Sequence, residues 1–262
     1  MVFDIYNNFI LGNRMLSRQD YENFQIQWII TNTVSCFLGF LIWLILVLLI
    51  DIFKIQPEYY RLYRLKDTIY LISFVLPGVV IGLSQWLPLL KKIPTISWLW
   101  ILSNVPGLYL GLISTVVAFY FTIVFFINFL KDTHELTKIF LLGTITIGGG
   151  IGGAVGGIIT GIIQHLLIRK SFSVNRLWII TTTVGWSLSW SLGWTVALII
   201  GDRSPIFNAI GSLFGIPSSQ ASYMYMFGVP FPLFGIVFGF VNAIITGKVL
   251  VRLLKQSKQT PL

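Results

Sequence analysis

Apolar runs long enough to cross a bilayer alternate with short polar links along most of the chain. A polar segment of mixed charge at 1–25 holds Asp4, Arg14, Arg18, Asp20 and Glu22, and the first apolar run follows at 26–50. As a helix that run would measure about 37 Å, enough for a hydrocarbon core of about 30 Å. Further runs at 68–90, 98–129, 139–168, 177–200 and 225–247 bring the predicted spans to six. The third run exceeds what a crossing needs and contains Pro106, which predicts a tilt or a kink there. Between the first two runs, 51–67 mixes Arg61, Arg64 and Lys66 with Tyr59, Tyr60 and Tyr63. That composition suits a segment lying at lipid headgroups, and a solvated link equally well. The stretch 202–224, broken by Pro205, Gly211, Gly215 and Pro217, reads as an interfacial or re-entrant loop, and a basic tail occupies 249–262.

The spans are not independent of one another. The richest is the glycine-laden run 148–170, in which Gly149, Gly153, Gly157 and Gly161 recur every four residues and form one smooth ridge. In water such glycines would each cost a helix about 1 kcal/mol against alanine. In hydrocarbon they let two helix backbones approach closely. Part of this run is repeated twice, as a G-x3-G-x2-(Q/N)-x5-K motif. Its copies are Gly78/Gly82/Gln85/Lys91, Gly157/Gly161/Gln164/Lys170 and Gly235/Gly239/Asn242/Lys248. The partner runs match as well: WIITNTV at 28–34, WILSNVPG at 100–107 and WIITTTV at 178–184. The expected fold is therefore an all-α integral membrane protein of six transmembrane helices. They form three tandem two-helix repeats, at about 26–91, 98–170 and 177–248, around a pseudo-three-fold axis along the membrane normal.

Composition agrees with the patterning. Of 262 residues 55% are hydrophobic and only 10% charged, with a mean hydropathy of +0.83, against about 25% charged in soluble domains. The net charge of +9 would raise the question of nucleic acid in a soluble protein. Here the cations sit at span ends, where anionic headgroups and membrane topology account for them, and no nucleic-acid partner is expected. Eleven Lys and Arg lie on the side of both termini and seven on the other. This predicts cytoplasmic termini in a plasma or thylakoid membrane. Residues 1–25 lack the apolar core and cleavage site of a signal peptide, so the first span is expected to be retained.

Candidate chemistry is sparse. All nine carboxylates lie in links or at span ends, which argues against a proton relay or an intramembrane acid–base enzyme. The two histidines form no HExxH pair, and Cys36 stands alone in a span, so neither a zinc site nor a disulfide framework is expected. Gly148, Gly150 and Gly153 satisfy G-x-G-x-x-G only because the run is so rich in glycine, with no strand before it. Gly211-Ser212 does not extend to a nucleophile elbow. The chain reads as non-enzymatic.

What remains are neutral amides: Asn32, Gln85, Asn104, Gln164 and Asn242. Gln85, Gln164 and Asn242 are equivalent in the repeat, so they would share one depth and could ring a pore or hold a small solute. The plainer reading is that each bonds a neighbouring helix and fixes its register. Similarly, Gly78, Gly82, Gly149, Gly153, Gly157, Gly161, Gly235 and Gly239 are expected to pack helices within the chain rather than to build an oligomeric glycine zipper. His165 and the glutamines could ligate a chlorophyll-type magnesium, but a histidine at a membrane boundary serves more often as an anchor, and no cofactor is predicted.

GLSQWLPLLKK at 82–92 and GIIQHLLIRK followed by LWIITTTVGW at 161–186 resemble the G-x-x-Q-W-L-x-L-R…W…G-W pattern of uncharacterised multi-span membrane proteins of cyanobacteria. The likeness covers most of spans two to five, with His165 in place of the usual tryptophan. It implies a bacterial, cyanobacterial-type source and no activity. The expected function is an accessory or assembly component of a larger membrane complex, whose partners are the bilayer and other membrane subunits. The alternative is a channel or facilitator for a small neutral solute.

Overall fold

The computed structural model describes residues 18–52, 69, 72–129, 137–169, 176–201 and 230–257, and among these the chain is helical, without strands. The helices are α1 (Arg18–Ile52), α2 (Val75–Leu90), α3 (Asn104–Phe129), α4 (Thr137–Ile168), α5 (Leu177–Gly201) and α6 (Pro230–Ser257), with a 3-10 turn at Trp98–Leu102 before α3. They pack in chain order. The helix α1 lies against α2, α2 against the 3-10 turn and α3, α3 against α4, α4 against α5 and α5 against α6, and α6 returns to α1 and closes a ring.

Several boundaries differ from the expected ones. The polar segment is not confined to 1–25 outside the helix, because α1 begins at Arg18 and uses Tyr21 and Phe24 as buried contacts. The first residues of the basic tail belong to a helix. Helix α6 runs on to Ser257 and buries Leu250, Val251, Leu253 and Leu254, leaving Lys248, Arg252 and Lys255 outside. The run is interrupted just before Pro106. The third run breaks at Ser103, and Pro106 falls in the first turn of α3, where a missing backbone N–H leaves no helix bond unmade. The segments 53–67 and 202–224 lie outside the described residues.

Four helical stretches are long and apolar enough to cross a membrane: Gln19–Val47, Trp98–Phe125, Leu142–Ile168 and Phe231–Gln256. The apolar helix α2 has 16 residues, about 24 Å. In α5 the hydropathy is diluted by Ser, Thr and Gly, yet its outward stripe of Ile180, Val184, Leu188, Leu192 and Ile199 is wholly apolar. The same arrangement holds on α1, where Ile26, Ile30, Val34, Leu38 and Ile42 face outward, and on α4 with Ile147, Ile151, Ile158, Ile162 and Leu166. Polar residues are instead turned inward. That inversion of the soluble pattern is what a hydrocarbon solvent selects, since an apolar exterior costs nothing there and a polar one would.

Inside the ring, two apolar clusters are stacked along the bundle. One gathers Tyr21, Phe24, Trp28, Leu89, Ile93, Ile96, Trp100, Ile168, Trp178 and Leu250 at one end. The other is aromatic: Trp186, Trp190 and Trp194 of α5 interlock with Phe231, Phe234 and Phe238 of α6, and Phe40 joins them. Glycine makes the helix spacing possible. Gly149, Gly153, Gly157 and Gly161 all face α5, and a methyl group on Gly153 would lie 2.5 Å from the Trp186 carbonyl oxygen. A second ridge, one residue back, faces α3: Gly152 meets Thr115 and the Gly111 carbonyl, and Gly156 the Gly107 carbonyl. Helix α4 is thus wedged between two neighbours at backbone distance.

Candidate functional site

Between the two apolar clusters lies a layer of buried polar residues to which every helix contributes, among them Asn32, Gln85, Asn104, Gln164, Thr182 and Thr246, all 1–4% exposed. Gln85 is the hub. Its Nε2 donates to Asn32 Oδ1 at 2.7 Å, while its Oε1 accepts from Asn104 Nδ2 at 3.1 Å and from Gln164 Nε2 at 3.4 Å. Gln164 also donates to Ser103 Oγ at 3.2 Å. Asn32 Nδ2 returns to its own helix at the Trp28 carbonyl, 2.8 Å away. Amides from α1, α2, α3 and α4 thereby form one connected network. Each such bond within a membrane contributes about 0.6 kcal/mol on average, and up to about 1.7.

The other two members are hydroxyls, and they satisfy themselves locally. Thr182 Oγ1 donates to the Trp178 carbonyl at 2.9 Å, and Thr246 Oγ1 donates to the Asn242 carbonyl at 2.8 Å while accepting from Trp28 Nε1 at 3.2 Å. Three tryptophans from the matching partner runs, Trp28, Trp100 and Trp178, cover the layer on one side, each almost fully buried. Trp186, with Leu108 and Cys36, covers it on the other.

The structure brings Gln85 and Gln164 together, with Asn32 and Asn104, but it does not add Asn242 to them. The reason is register. Gly78 and Gly82 pack on Val105 and Ile101, and Gly157 and Gly161 pack on Thr183 and Ile179, which are matching residues of the partner runs. On α6 the residue against Thr33, the match of Val105 and Thr183, is Gly239, whereas Gly235 packs a turn further along, on Cys36 and Phe40. Contact with α1 is thus made one turn later than the sequence motif implies, which puts Thr246 at the level of the glutamines. Asn242 falls a turn away, and its Oδ1 would lie 2.6 Å from a methyl on Gly185. Thr160 behaves alike, with its Oγ1 set against Gly107. Both oxygens lack a conventional donor, and each rests on a glycine, where a Cα–H···O contact is the available substitute.

Chemically the layer offers only amides and hydroxyls, groups that orient neutral partners and carry no charge. Among the described residues no three of His, Cys, Asp and Glu converge as metal ligands. His165 sits in the last turn of α4, outside the amide network, with a buried Nδ1 that has no hydrogen-bond partner. Sequence reasoning missed Ser103, Thr182 and Thr246 in the layer, and Gly148, Gly152 and Gly156 as the second ridge. The four-residue spacing of the latter, answered by Gly107 and Gly111, was a usable signal. No protein-family model, curated protein or solved structure matches the chain.

Proposed function

We propose that the protein is a membrane-embedded helical bundle that acts through its outer surface, as a non-enzymatic accessory or assembly component of a larger membrane complex. The observation that carries this reading is the filled interior. The amides that could have lined a passage bond one another, and buried tryptophans lie on both sides of them. On this reading α2 and α5 cross the bilayer with the four long apolar helices. The three tandem repeats share one orientation, supported by the matching glycine contacts of α2 and α4, and both termini face the cytoplasm. Gentle detergent extraction from native membranes, followed by native electrophoresis and mass spectrometry, tests it. Co-migration with a larger assembly is expected. A lone monomer or homo-oligomer that passes a neutral solute, with flux abolished when Gln85, Gln164 and Asn242 are replaced by leucine, would overturn it in favour of a facilitator.

A further inference from the structure

The outward stripes change character at one level of the bundle. Leu87 on α2 gives way to Lys91, Leu166 on α4 to Arg169, Ile180 on α5 to Arg176, and Phe240 on α6 to Lys248 and Arg252. These helix ends meet in a single cluster through Leu89, Ile168, Trp178 and Leu250, so the cations lie around one end of the ring. Lys255 belongs to the same end, its Nζ 5.0 Å from the centre of the Tyr21 ring. Among the described residues this end carries Lys91, Lys92, Arg169, Arg176, Lys248, Arg252 and Lys255 against Asp20 and Glu22.

The belt is held in place by the fold. The link bearing Lys91 and Lys92 is pinned by Ile93 and Ile96, buried beneath it, and by Ile93 N–H donating to the Leu89 carbonyl at 2.7 Å. The adjoining 3-10 turn turns Trp98, 61% exposed, outward with Leu99 and Leu102. An outward indole beside fixed ammonium groups, above an apolar wall, matches the boundary between acyl chains and headgroups.

We propose that this belt is a binding surface for anionic phospholipid headgroups, whose acyl chains lie along the apolar stripes beneath it. The inference rests on the membrane reading above and adds the lipid class and the leaflet. Complementary charge selects the occupant: a zwitterionic headgroup gains little from such a belt, whereas a leaflet of anionic headgroups holds the belt about five-fold more tightly for each basic residue near its surface.

The test uses the full chain in a neutral detergent, supplied with equal amounts of phosphatidylglycerol and phosphatidylcholine, with retained lipid read by native mass spectrometry. Phosphatidylglycerol should be retained preferentially. The variant K91Q/K92Q/K248Q/R252Q should bring the two lipids towards parity. Raising salt from about 0.1 M to 1 M shortens the screening length from about 10 Å to 3 Å and should erase the preference in the unmodified protein. Should the quadruple variant lose its helical circular dichroism, the salt titration alone decides. Equal retention of both lipids, or a preference indifferent to salt, overturns the proposal. A protein that stays in solution without detergent and retains neither lipid would instead overturn the membrane reading beneath it.

Discussion

Replacing Gln85 with methionine keeps the side chain's length and removes the hub of the amide layer. Three hydrogen bonds vanish, at 2.7, 3.1 and 3.4 Å. At the average for side-chain bonds inside membranes this amounts to about 2 kcal/mol. The larger effect is on what is left behind. Asn32 Oδ1 and Asn104 Nδ2 remain in a core where no water reaches them, and each stranded group costs about 1–3 kcal/mol. Asn32 retains its bond to the Trp28 carbonyl, and relaxation recovers part of the rest, so we expect a net loss of about 2–4 kcal/mol. The decisive comparison is a variant in which Asn32 and Asn104 become leucine and Gln85 and Gln164 become methionine. It removes the whole network and strands nothing of it, so it should be more stable than Gln85→Met alone. Reversible unfolding in mixed micelles, followed by far-UV circular dichroism and by the fluorescence of the tryptophans flanking the layer, measures both. If Gln85→Met is neutral within about 0.5 kcal/mol, or if the quadruple variant is the less stable of the two, the layer is not a mutually satisfied network and the reasoning fails.

Glycine substitutions should divide by position. Gly82→Ala places a methyl group on the Ile101 carbonyl and Gly153→Ala places one 2.5 Å from the Trp186 carbonyl; each backbone must shift, and a loss of about 1–3 kcal/mol is expected in the same unfolding assay. Gly143→Ala meets nothing within 4 Å, so it should stabilise the helix by up to about 1 kcal/mol, and destabilisation would show that α4 is packed there. Cys36 is 1% exposed, so a membrane-permeant maleimide should label it only after unfolding in SDS; rapid labelling of the folded protein would contradict the closed ring. Brominated lipids should quench Trp98 and spare Trp100, which is fully buried; single-tryptophan variants on a phenylalanine background provide the measurement, and equal quenching would place the 3-10 turn wrongly.

Much of this architecture was legible along the chain because the bilayer imposes one-dimensional rules. Hydropathy summed over a window identifies helices that hydrocarbon will accept, and a four-residue glycine spacing marks a face on which helices can touch. These rules identified most of the helices, the ridge from Gly149 to Gly161 and four of the amides that meet. Helix ends were less legible. Leu250 and Leu254 continue α6 because they are buried against other parts of the chain, and nothing local to the tail announces those contacts.

The register of α6 is the sharpest case. Small residues stand at Gly235, Gly239, Ala243 and Gly247, a ridge that repeats every four residues and so looks the same after a slip of one turn. The motif selects one register by its Gly-Gly-Asn spacing. Contacts select the next: Gly239 seats on Thr33, and the Trp28 indole then finds Thr246. The sequence by itself determined the helices apolar and long enough to cross a membrane and the amides most costly to expose to hydrocarbon, Asn32, Gln85, Asn104, Gln164 and Asn242, all of which turn inward. Only the tertiary structure decided which of those residues meet, because a smooth glycine ridge permits several alignments and the large aromatic side chains on either side of it fit only one.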